Sequence, residues 1–369
     1  MTAFEATATT PADAVTASDT DAFIAKVKEY ADNVLRPGAL RTDREGVTSE
    51  QISQFARLGL LNHTAPAEFG GAGIGRAGDR RLHEIIAGAC FNTWLVWAQH
   101  APTVGRLALS WQKDATLSGL ARDALAGRVL LGAAISDVRR FPHSFITATR
   151  TRAGWTFSGT ISWVSGWGLN TVLAVAAVEP ATETVVTAFV PISDRVTATY
   201  LNLAAVGGSR TARVTLHQVF VSDSDVLLTQ TLNDWHTEDL STAGDTRPQY
   251  FGLATRVVDE LDEADHPDAR RVAAVWRPRI QGLRADAYGL ADEAKATGDE
   301  RHRIAERVAT KAAVGEALAV ITRALVVARS GRSITLEDTA QLHARSALFL
   351  LVQGQSADVR DAQLSSLAR

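Results

Sequence analysis

The spacing of hydrophobic residues changes twice along the chain. From residue 19 to 128 these residues recur every three or four positions, as in Phe23, Val27, Tyr30 and Val34, which is typical of amphipathic helices. From 129 to 228 they alternate with polar residues or form short runs bounded by glycine, proline and aspartate, which predicts strands. From 229 onward the helical spacing returns in long Ala-, Leu- and Val-rich stretches. The pattern predicts an α+β fold with helices on both sides of a β segment.

The middle segment predicts a series of short strands. Turn signals follow each apolar run closely, which favours a small antiparallel sandwich or barrel. The predicted strands cover residues 130–135, 145–150, 155–161, 171–178, 184–190, 196–200 and 213–219.

The helical segments are bounded by recognisable start and stop signals. Pro37 and Gly38 predict the end of the first helix, and Thr48 or Ser49 is expected to cap the next one. Residues 229–246 are polar and are predicted to form a loop. Later helices are expected at 250–261, 269–296, 301–329, 338–352 and 359–368. These boundaries predict an N-terminal helical domain at 19–128, a middle β domain at 129–228 and a C-terminal helical domain at 229–369.

Residues 155–178 concentrate aromatic side chains within the β segment. Trp155, Phe157, Trp163 and Trp167 lie among β-branched and small residues, as on a half-buried pleated surface. Ser158-Gly159 predicts one turn and residues 165–168 predict a second, so a hairpin is expected. Each of these aromatic residues is either a core residue or part of the wall of a site for a flat ligand.

The charge, the cysteine content and the length of apolar runs limit the classes of binding partner. The net charge of −3 gives no reason to expect nucleic acid or an anionic membrane surface. The single cysteine, Cys90, cannot form an internal disulfide, and the spacing of His and acidic residues does not suggest a metal site. No apolar run reaches the roughly 18 residues that span a bilayer. Residues 1–18 lack the features of a signal peptide, so a disordered tail and a cytoplasmic location are expected.

Three sequence segments resemble those of one family. SGTISWVSG at 158–166 resembles an NGxKxWITxG pattern, and PAEFGGAGIG at 66–75 resembles a P-E-(Y/F)-GG-G pattern. The segment from 203 to 228 resembles G-x-R-G-(S/T) followed by V-x-F-x-x-V-x-V-P. All three patterns belong to the acyl-CoA dehydrogenase superfamily, whose helix–β–helix architecture covers this chain from about residue 20 to its end.

The resemblance implies a flavin, FAD or FMN, between the β domain and the C-terminal helices. In that reading Trp163 packs on the isoalloxazine ring, with Val164 and Ser165 beside it. Ser136 takes the place of a threonine that contacts the pyrimidine ring of the flavin. Gly354 and Ser356 belong to the cofactor site on the C-terminal side.

The position of the family's catalytic glutamate is occupied by Gln353 in the segment VQGQS. A carboxamide has no titratable proton near neutral pH and cannot act as a general base. Gln353 is therefore either part of an altered site or only a hydrogen-bonding group at a helix end. Some relatives place the base after the β domain, and Asp245, ahead of Arg247, is the preferred alternative here, with Glu238 and Asp239 as further candidates.

The substrate pocket departs from the family. The loop AAISDVRRFPHSF lacks the usual Gly-Ser-Asp, so His143 and Ser144 are the substrate candidates there, with His100 as a third. The arginine that binds the flavin pyrophosphate in the family has no counterpart in the matching motif here. Five arginines are candidates to replace it, at positions 270, 271, 277, 279 and 284, and the sequence does not choose among them.

Three functions follow from this resemblance. The first is a flavin-dependent oxidoreductase acting on an acyl thioester, bound to CoA or a carrier protein, with a relocated base. The second is a two-component flavin monooxygenase, because FNTWLVWAQH at 91–100 and WVSG at 163–166 resemble segments of those hydroxylases. The third is a flavin-free partner subunit. The first two imply an electron-transfer partner or a flavin reductase.

A homo-oligomer, dimer or tetramer, is also expected. The segment from 308 to 327 is apolar on more than one face, which is more apolar surface than one neighbouring helix covers. In the family, helices of this region pack against their symmetry mates, and isologous contacts are the common arrangement.

Overall fold

The computed structural model describes residues 17–111 and 116–368. The tail expected at residues 1–18 therefore lies almost entirely outside the described residues. Among those described, no helix is long and apolar enough to cross a membrane. The same residues contain no group of three or more His, Cys, Asp or Glu side chains placed to hold a metal ion.

The N-terminal part is helical. Its helices are α1 (Ala17–Tyr30), α2 (Arg36–Glu45), α3 (Ser49–Arg57), α4 (Arg76–Ala89), α5 (Phe91–Trp97), α6 (Ala101–Trp111) and α7 (Gly119–Leu125). Thr48 caps α3 in a reciprocal capping box with Gln51, as the sequence predicts. The expected stop at Pro37 and Gly38 is wrong, because a π-helical segment, Ala31–Leu35, joins α1 to α2 and Pro37 lies in the first turn of α2.

The middle part is one mixed β-sheet. In the described part of the chain its strands are β1 (Leu131–Ala134), β2 (Thr147–Arg150), β3 (Gly154–Val164), β4 (Val172–Glu179), β5 (Thr184–Pro191), β6 (Val196–Tyr200), β7 (Ala212–Ser222) and β8 (Val226–Thr231). The strand order is β6-β7-β3-β2-β4-β5-β8, and β1 also pairs with β4. Both β1 and β2 run parallel to β4, so the sheet is not wholly antiparallel. The two strands lie one after the other along β4, and the loop between them leaves the sheet.

The predicted hairpin at 155–178 is wrong in two respects. β3 is continuous through Gly159, where the register against β7 shifts and the backbone has φ of 137°, so Ser158-Gly159 is a bulge and not a turn. β3 and β4 are not partners, because β2 lies between them. The second predicted turn is present, with Gly166 and Gly168 at φ of 79° and 80°.

The sheet curls over its own apolar face. Side chains from strands at both ends of the strand order meet in one buried cluster, among them Val186 and Val190 of β5 and Val196 and Val214 of β6 and β7. Phe157 of β3 is fully buried at the centre of this cluster. Because the inner face is filled in this way, side chains on the outer face of β3 are left to meet the helices.

The C-terminal part is helical. Its helices are α8 (Leu232–Gly244), α9 (Pro248–Asp262), α10 (Pro267–Thr297), α11 (Ile304–Arg329), α12 (Thr339–Val352) and α13 (Ala357–Leu367). The loop predicted at 229–246 is wrong, because α8 occupies most of it. Thr231 starts α8 as its N-cap, accepting from the Asp234 amide at 3.1 Å.

Helix α9 lies at the centre of the molecule and contacts α4 at very short range. A Cβ at Gly252 would lie 2.2 Å from the Glu84 carbonyl oxygen, and one at Gly88 would lie 2.7 Å from the Gly252 carbonyl oxygen. Only glycine at these two positions lets the two helix backbones approach this closely. The position of α9 relative to the N-terminal part is therefore fixed by backbone contact.

A buried carboxylate, Glu260, fixes the far end of α9. It accepts hydrogen bonds from Arg256, Arg329, Thr339 and His343 at 2.5–2.9 Å. Burial opposes ionisation of Glu260, but the hydrogen bond and charge of His343, then Thr339 and Arg256, outweigh it and hold the pKa well below its usual range. Glu260 thereby joins α9 to α11 and α12.

We expect Glu260→Gln to lower the free energy of unfolding by about 3 to 5 kcal/mol at neutral pH, because it leaves buried cationic partners uncompensated. The carboxylate stabilises the fold fully above its unfolded pKa of about 4.3, and this contribution is lost as pH falls towards the lower folded-state pKa. Urea unfolding between neutral pH and pH 3 should therefore show the difference from wild type shrinking below about pH 4. The exposed neighbour Glu263, replaced by Gln, is the control; equal effects from both changes would contradict the role of Glu260.

Candidate functional site

The outer face of β3 presents an aromatic side chain to α12. Trp163 is 37% exposed, and its ring lies 6.3 Å from that of Phe349 with an angle of 28° between their planes. Phe349 itself is buried. A large aromatic side chain that remains open on one face, near a second and nearly parallel ring, is suited to a flat ligand.

The loop between β1 and β2 docks on β3 beside Trp163. Asp137 is buried and accepts hydrogen bonds from the Ser162 amide at 2.8 Å and the Ser162 hydroxyl at 2.7 Å. Arg140 donates to the same hydroxyl at 2.6 Å. Three predicted ligand contacts, Ser136, His143 and Ser144, are exposed on this loop. The structure thus places them on a loop that is hydrogen-bonded to Ser162, the neighbour of Trp163, while their roles stay predictions.

A chain of hydroxyl groups follows Trp163. The Ser165 hydroxyl is buried and hydrogen-bonded to Thr211 at 2.8 Å, and Thr211 is hydrogen-bonded to Ser209 at 2.7 Å. Three hydroxyls carry three protons and these two bonds use two of them, so one O–H is left for a further acceptor. Val164 is fully buried in the core of the sheet, so only its backbone is available to a cofactor.

Gln353 ends α12, one turn after Phe349. Its amide donates to the Phe349 carbonyl at 3.0 Å, and its side-chain oxygen accepts from Gln249 of α9 at 3.0 Å. One helical turn is about 5.4 Å, so Gln353 lies close to the aromatic pair formed by Trp163 and Phe349. Gly354 follows at φ of 62°, with open space where a side chain would be.

Ser356, predicted as a cofactor contact, has a local role in the structure. Its hydroxyl accepts from the Val359 amide at 3.3 Å and caps α13. The capping bond leaves the O–H proton itself free to donate. A cofactor contact by Ser356 stays a prediction.

The carboxylates proposed as alternative bases are all paired with arginine. Asp245 accepts from Arg307 at 2.8 Å, and Asp239 accepts two hydrogen bonds from Arg139 at 2.6 and 2.7 Å. Glu238 pairs with Arg106 at 3.3 Å. A base must reach the proton that it abstracts, and each of these side chains is already held by a cation.

His100, a predicted substrate contact, is buried between the N-terminal helices and the sheet. Its Nδ1 accepts from the Leu131 amide at 3.1 Å, and its Nε2 donates to the Leu61 carbonyl at 2.5 Å. Burial lowers the pKa of His100 to about 4, so the ring is neutral at neutral pH. With both ring nitrogens engaged, His100 joins α6 to β1, and the site proposed below does not include it.

Four of the five arginines considered for the flavin pyrophosphate are engaged within the chain. Arg270 donates to backbone carbonyls at 264 and 265, and Arg271, Arg277 and Arg284 pair with carboxylates. Arg279 is exposed and rests over the Trp276 ring at 5.2 Å.

A cavity of about 640 Å³ lies elsewhere, between α1 and α3, and its lining includes none of the candidate site residues.

Sequence reasoning overlooked the residues that connect these groups. Gln249 binds Gln353, and the Tyr250 hydroxyl donates to the Leu350 carbonyl at 2.6 Å, so the start of α9 holds the end of α12. The Thr246 hydroxyl is buried without a hydrogen-bond partner in the described structure. The sequence Thr-Arg-Pro at 246–248, which marks the start of a helix, was the available signal.

These groups together fit a flavin. Trp163 offers an open aromatic face, the hydroxyl chain at Ser165 offers a donor, and open space adjoins Gly354. A flavin bound here would supply two-electron redox chemistry. The residues of the chain would orient it and determine which proton transfers are available.

Comparison with known proteins agrees with this architecture. The family model described as acyl-CoA dehydrogenase, N-terminal domain, matches residues 17–124. A search of curated protein sequences returns no significant match.

Several solved structures share the whole fold at low sequence identity. Butyryl-CoA dehydrogenase from Megasphaera elsdenii is 14% identical, with a TM-score of 0.77 over 97% of this chain and 100% of that one. Nitrososynthase from Micromonospora carbonacea var. africana is 20% identical, with a TM-score of 0.76 over 95% and 96% of the two chains. PigA in complex with FAD and proline is 13% identical, with a TM-score of 0.77 over 97% and 99%.

The resemblance inferred from the sequence motifs is therefore confirmed, as is the order of helical, β and helical parts. At these identities the solved structures establish the fold alone. Residues 17–124 match the acyl-CoA dehydrogenase N-terminal domain, and the chain as a whole has the fold of the solved acyl-CoA dehydrogenases.

Proposed function

We propose that the protein is a flavin-dependent oxidoreductase that oxidises its substrate without a carboxylate base at position 353. The flavin, FAD in preference to FMN, would lie against Trp163 in the crevice between β3 and α12. The fold relatives include a protein solved with FAD, which supports this choice.

The observation that carries the proposal is the pairing of Gln353 with Gln249. A carboxamide bonded to a second carboxamide can fix a ligand but cannot take its proton at neutral pH. The nearby carboxylates at 238, 239 and 245 are paired with arginines. Among the described residues, none of the three carboxylates considered as the base for an acyl thioester is therefore free of an arginine partner.

Among flavin-dependent oxidations, we propose monooxygenation with O₂ as the reaction that this site favours. A flavin monooxygenase reduces O₂, transfers one oxygen atom to the substrate and releases the other as water, with electrons from a separate reductase. That reaction needs no glutamate at 353. In it, Gln353 and Gln249 would position the substrate by hydrogen bonds, and Ser165 would orient the flavin.

Dehydrogenation of an acyl thioester is the second candidate. It is favoured by the likeness in fold to butyryl-CoA dehydrogenase and requires Asp245 to act as base after release from Arg307. In that case an electron-transfer partner would reoxidise the flavin.

We also propose a homo-oligomer, but through a surface different from the one first expected. Most of the apolar run on α11 is core, since Val308, Ala317, Ile321 and Leu325 are buried within the chain. Large apolar side chains are exposed instead from the end of α11 onward: Val327 in its last turn, Ile334 and Leu336 in the segment before α12, and Leu348, Val352, Leu364 and Leu367 on α12 and α13. Sedimentation at micromolar concentration should show a dimer or tetramer, and a wild-type monomer would contradict this proposal.

Trp163→Leu should weaken FAD binding by about fivefold or more, since stacking on an aromatic ring is worth roughly 1 to 3 kcal/mol. Because Trp163 is partly exposed, its loss should cost less stability than the ~3 to 5 kcal/mol of a fully buried aromatic. FAD is titrated by absorbance and by quenching of its fluorescence. Trp276→Leu, on α10, is the matched control. Unchanged FAD affinity in Trp163→Leu would show that this side chain serves packing only.

Gln353→Glu tests the choice between the two chemistries. The change is nearly isosteric and places a carboxylate beside Gln249, which can donate to it. Flavin reduction by a panel of acyl-CoA thioesters is followed anaerobically in both proteins. We expect background reduction in both, because the site is arranged for oxygen chemistry. An increase of more than about 100-fold in the variant, the size expected of a restored base, would instead establish the dehydrogenase.

A further inference from the structure

The last turn of α8 binds three basic side chains from other parts of the fold. Three basic side chains donate to three successive backbone carbonyls there: Arg307 to Ser241 at 2.7 Å, Arg247 to Thr242 at 3.4 Å, and Lys311 to Ala243 at 2.6 Å. Arg307 and Lys311 come from α11, and Arg247 caps the start of α9. The C-terminal end of a helix is electronegative, so it favours cations.

The negative charge at this turn does not balance the three cations. Arg307 is paired with Asp245, but neither Arg247 nor Lys311 has a carboxylate within 4.0 Å among residues 17–111 and 116–368. The helix terminus supplies the equivalent of about half a negative charge. The charge of Arg247 together with that of protonated Lys311 therefore exceeds the negative charge at this turn, and an unpaired buried charge is costly unless something binds it.

The hydrogen-bonding capacity of these groups is also unused. Within the described structure Arg247 donates one of five possible hydrogen bonds and Lys311 one of three. Lys311 is 3% exposed, and the adjacent Thr246 hydroxyl is buried with no partner. Arg247 keeps part of its surface open. Donors without acceptors thus converge where α8 meets α9.

The charge state of Lys311 reflects this imbalance. Burial, followed by the charges of Arg247 and Arg139, lowers the pKa of Lys311 to about 7, although Asp245 and Asp239 act in the opposite direction. Near neutral pH the unliganded amine is therefore only partly protonated. A bound anion would favour the protonated form.

A purely structural role explains the hydrogen bonds that these cations make but not the donors that they leave unused. The last four carbonyls of a helix have no partner within the helix, so Arg307, Arg247 and Lys311 each cap one of them. Capping does not account for the open Arg247 guanidinium or for the unpartnered Thr246 hydroxyl. The shared property of these three groups is that each can donate a hydrogen bond to an anion.

We propose that Arg247, Lys311 and Thr246 form an anion site that binds a carboxylate group of the substrate. One carboxylate, with a single charge and two oxygens, matches the guanidinium fork and leaves an oxygen lone pair for the amine or the hydroxyl. A phosphate, with nearly two charges, would exceed the uncompensated charge at this turn. The inference rests on the proposed function only in calling the ligand a substrate.

The first turn of α9 connects the proposed anion site to the proposed reaction centre. Arg247 and Gln249 are two residues apart at the start of α9, and Gln249 binds Gln353. A substrate held by its carboxylate at Arg247 would extend past Gln353 towards Trp163. The class of substrate is thereby narrowed to small carboxylic acids or acyl groups that carry a free carboxylate.

Isothermal titration calorimetry of the full-length protein with butanoate, butanamide and inorganic phosphate tests this inference. We expect butanoate to bind, with butanamide and phosphate at least about tenfold weaker. Lys311→Met and Arg247→Gln should each weaken butanoate binding by at least about tenfold. Arg106→Gln removes a nearby exposed arginine and should change it less than about threefold. Lys311→Arg keeps the charge and should retain binding if Lys311→Met fails to fold.

Equal binding of butanoate and butanamide would overturn the inference, as would butanoate binding unaltered in folded Lys311→Met and Arg247→Gln. Tighter binding of phosphate would overturn the assignment to a carboxylate. FAD titration of the same proteins keeps the two proposals apart. Wild-type protein that binds butanoate but no FAD would retain the anion site and contradict the flavin function, whereas the reverse result would contradict the anion site alone.

Discussion

The position of α9 is fixed by contacts that allow almost no displacement, and the candidate site depends on it. Gly252 brings its backbone against α4, and Glu260 at the other end accepts four hydrogen bonds from α9, α11 and α12. Between these contacts and its first turn, α9 is buried on nearly every side. Arg247 and Gln249 therefore project from a rigid element, and a ligand that they bind meets a preformed site at little conformational cost.

Electrostatics divides the crevice into two unlike ends. Near Trp163 the groups are a partly exposed aromatic face, buried hydroxyls and a pair of carboxamides, which suit a planar ring. Near Lys311 the end of α8 gathers cations whose charge is not fully balanced. A molecule that spans the crevice would be oxidised at one end and held by a negative charge at the other. The carboxylates of Asp239 and Asp245 are held by arginines, so they act as structural ion pairs and not as free bases.

The sequence predicts the fold well and the site less completely. The strands and later helices are near their predicted positions because alternating and helical spacing are local properties. Gly159 was misread because a bulge and a turn need the same residue, and α8 was missed because its exposed surface leaves no strong apolar stripe. Motif order located Trp163 and Gln353. The role of Lys311 could not be predicted, because it stands in an apolar run of the sequence and only the folded chain brings it to the end of α8.

The central claim is that the crevice between β3, α9 and α12 binds a flavin beside a carboxamide instead of a carboxylate. A crystal structure of the protein grown with FAD tests it most directly. The account predicts the isoalloxazine ring against the Trp163 indole, with Gln353 still bonded to Gln249 and no carboxylate in contact with the ring's substrate side. A flavin bound elsewhere, or Asp245 released from Arg307 and turned towards the ring, would contradict it.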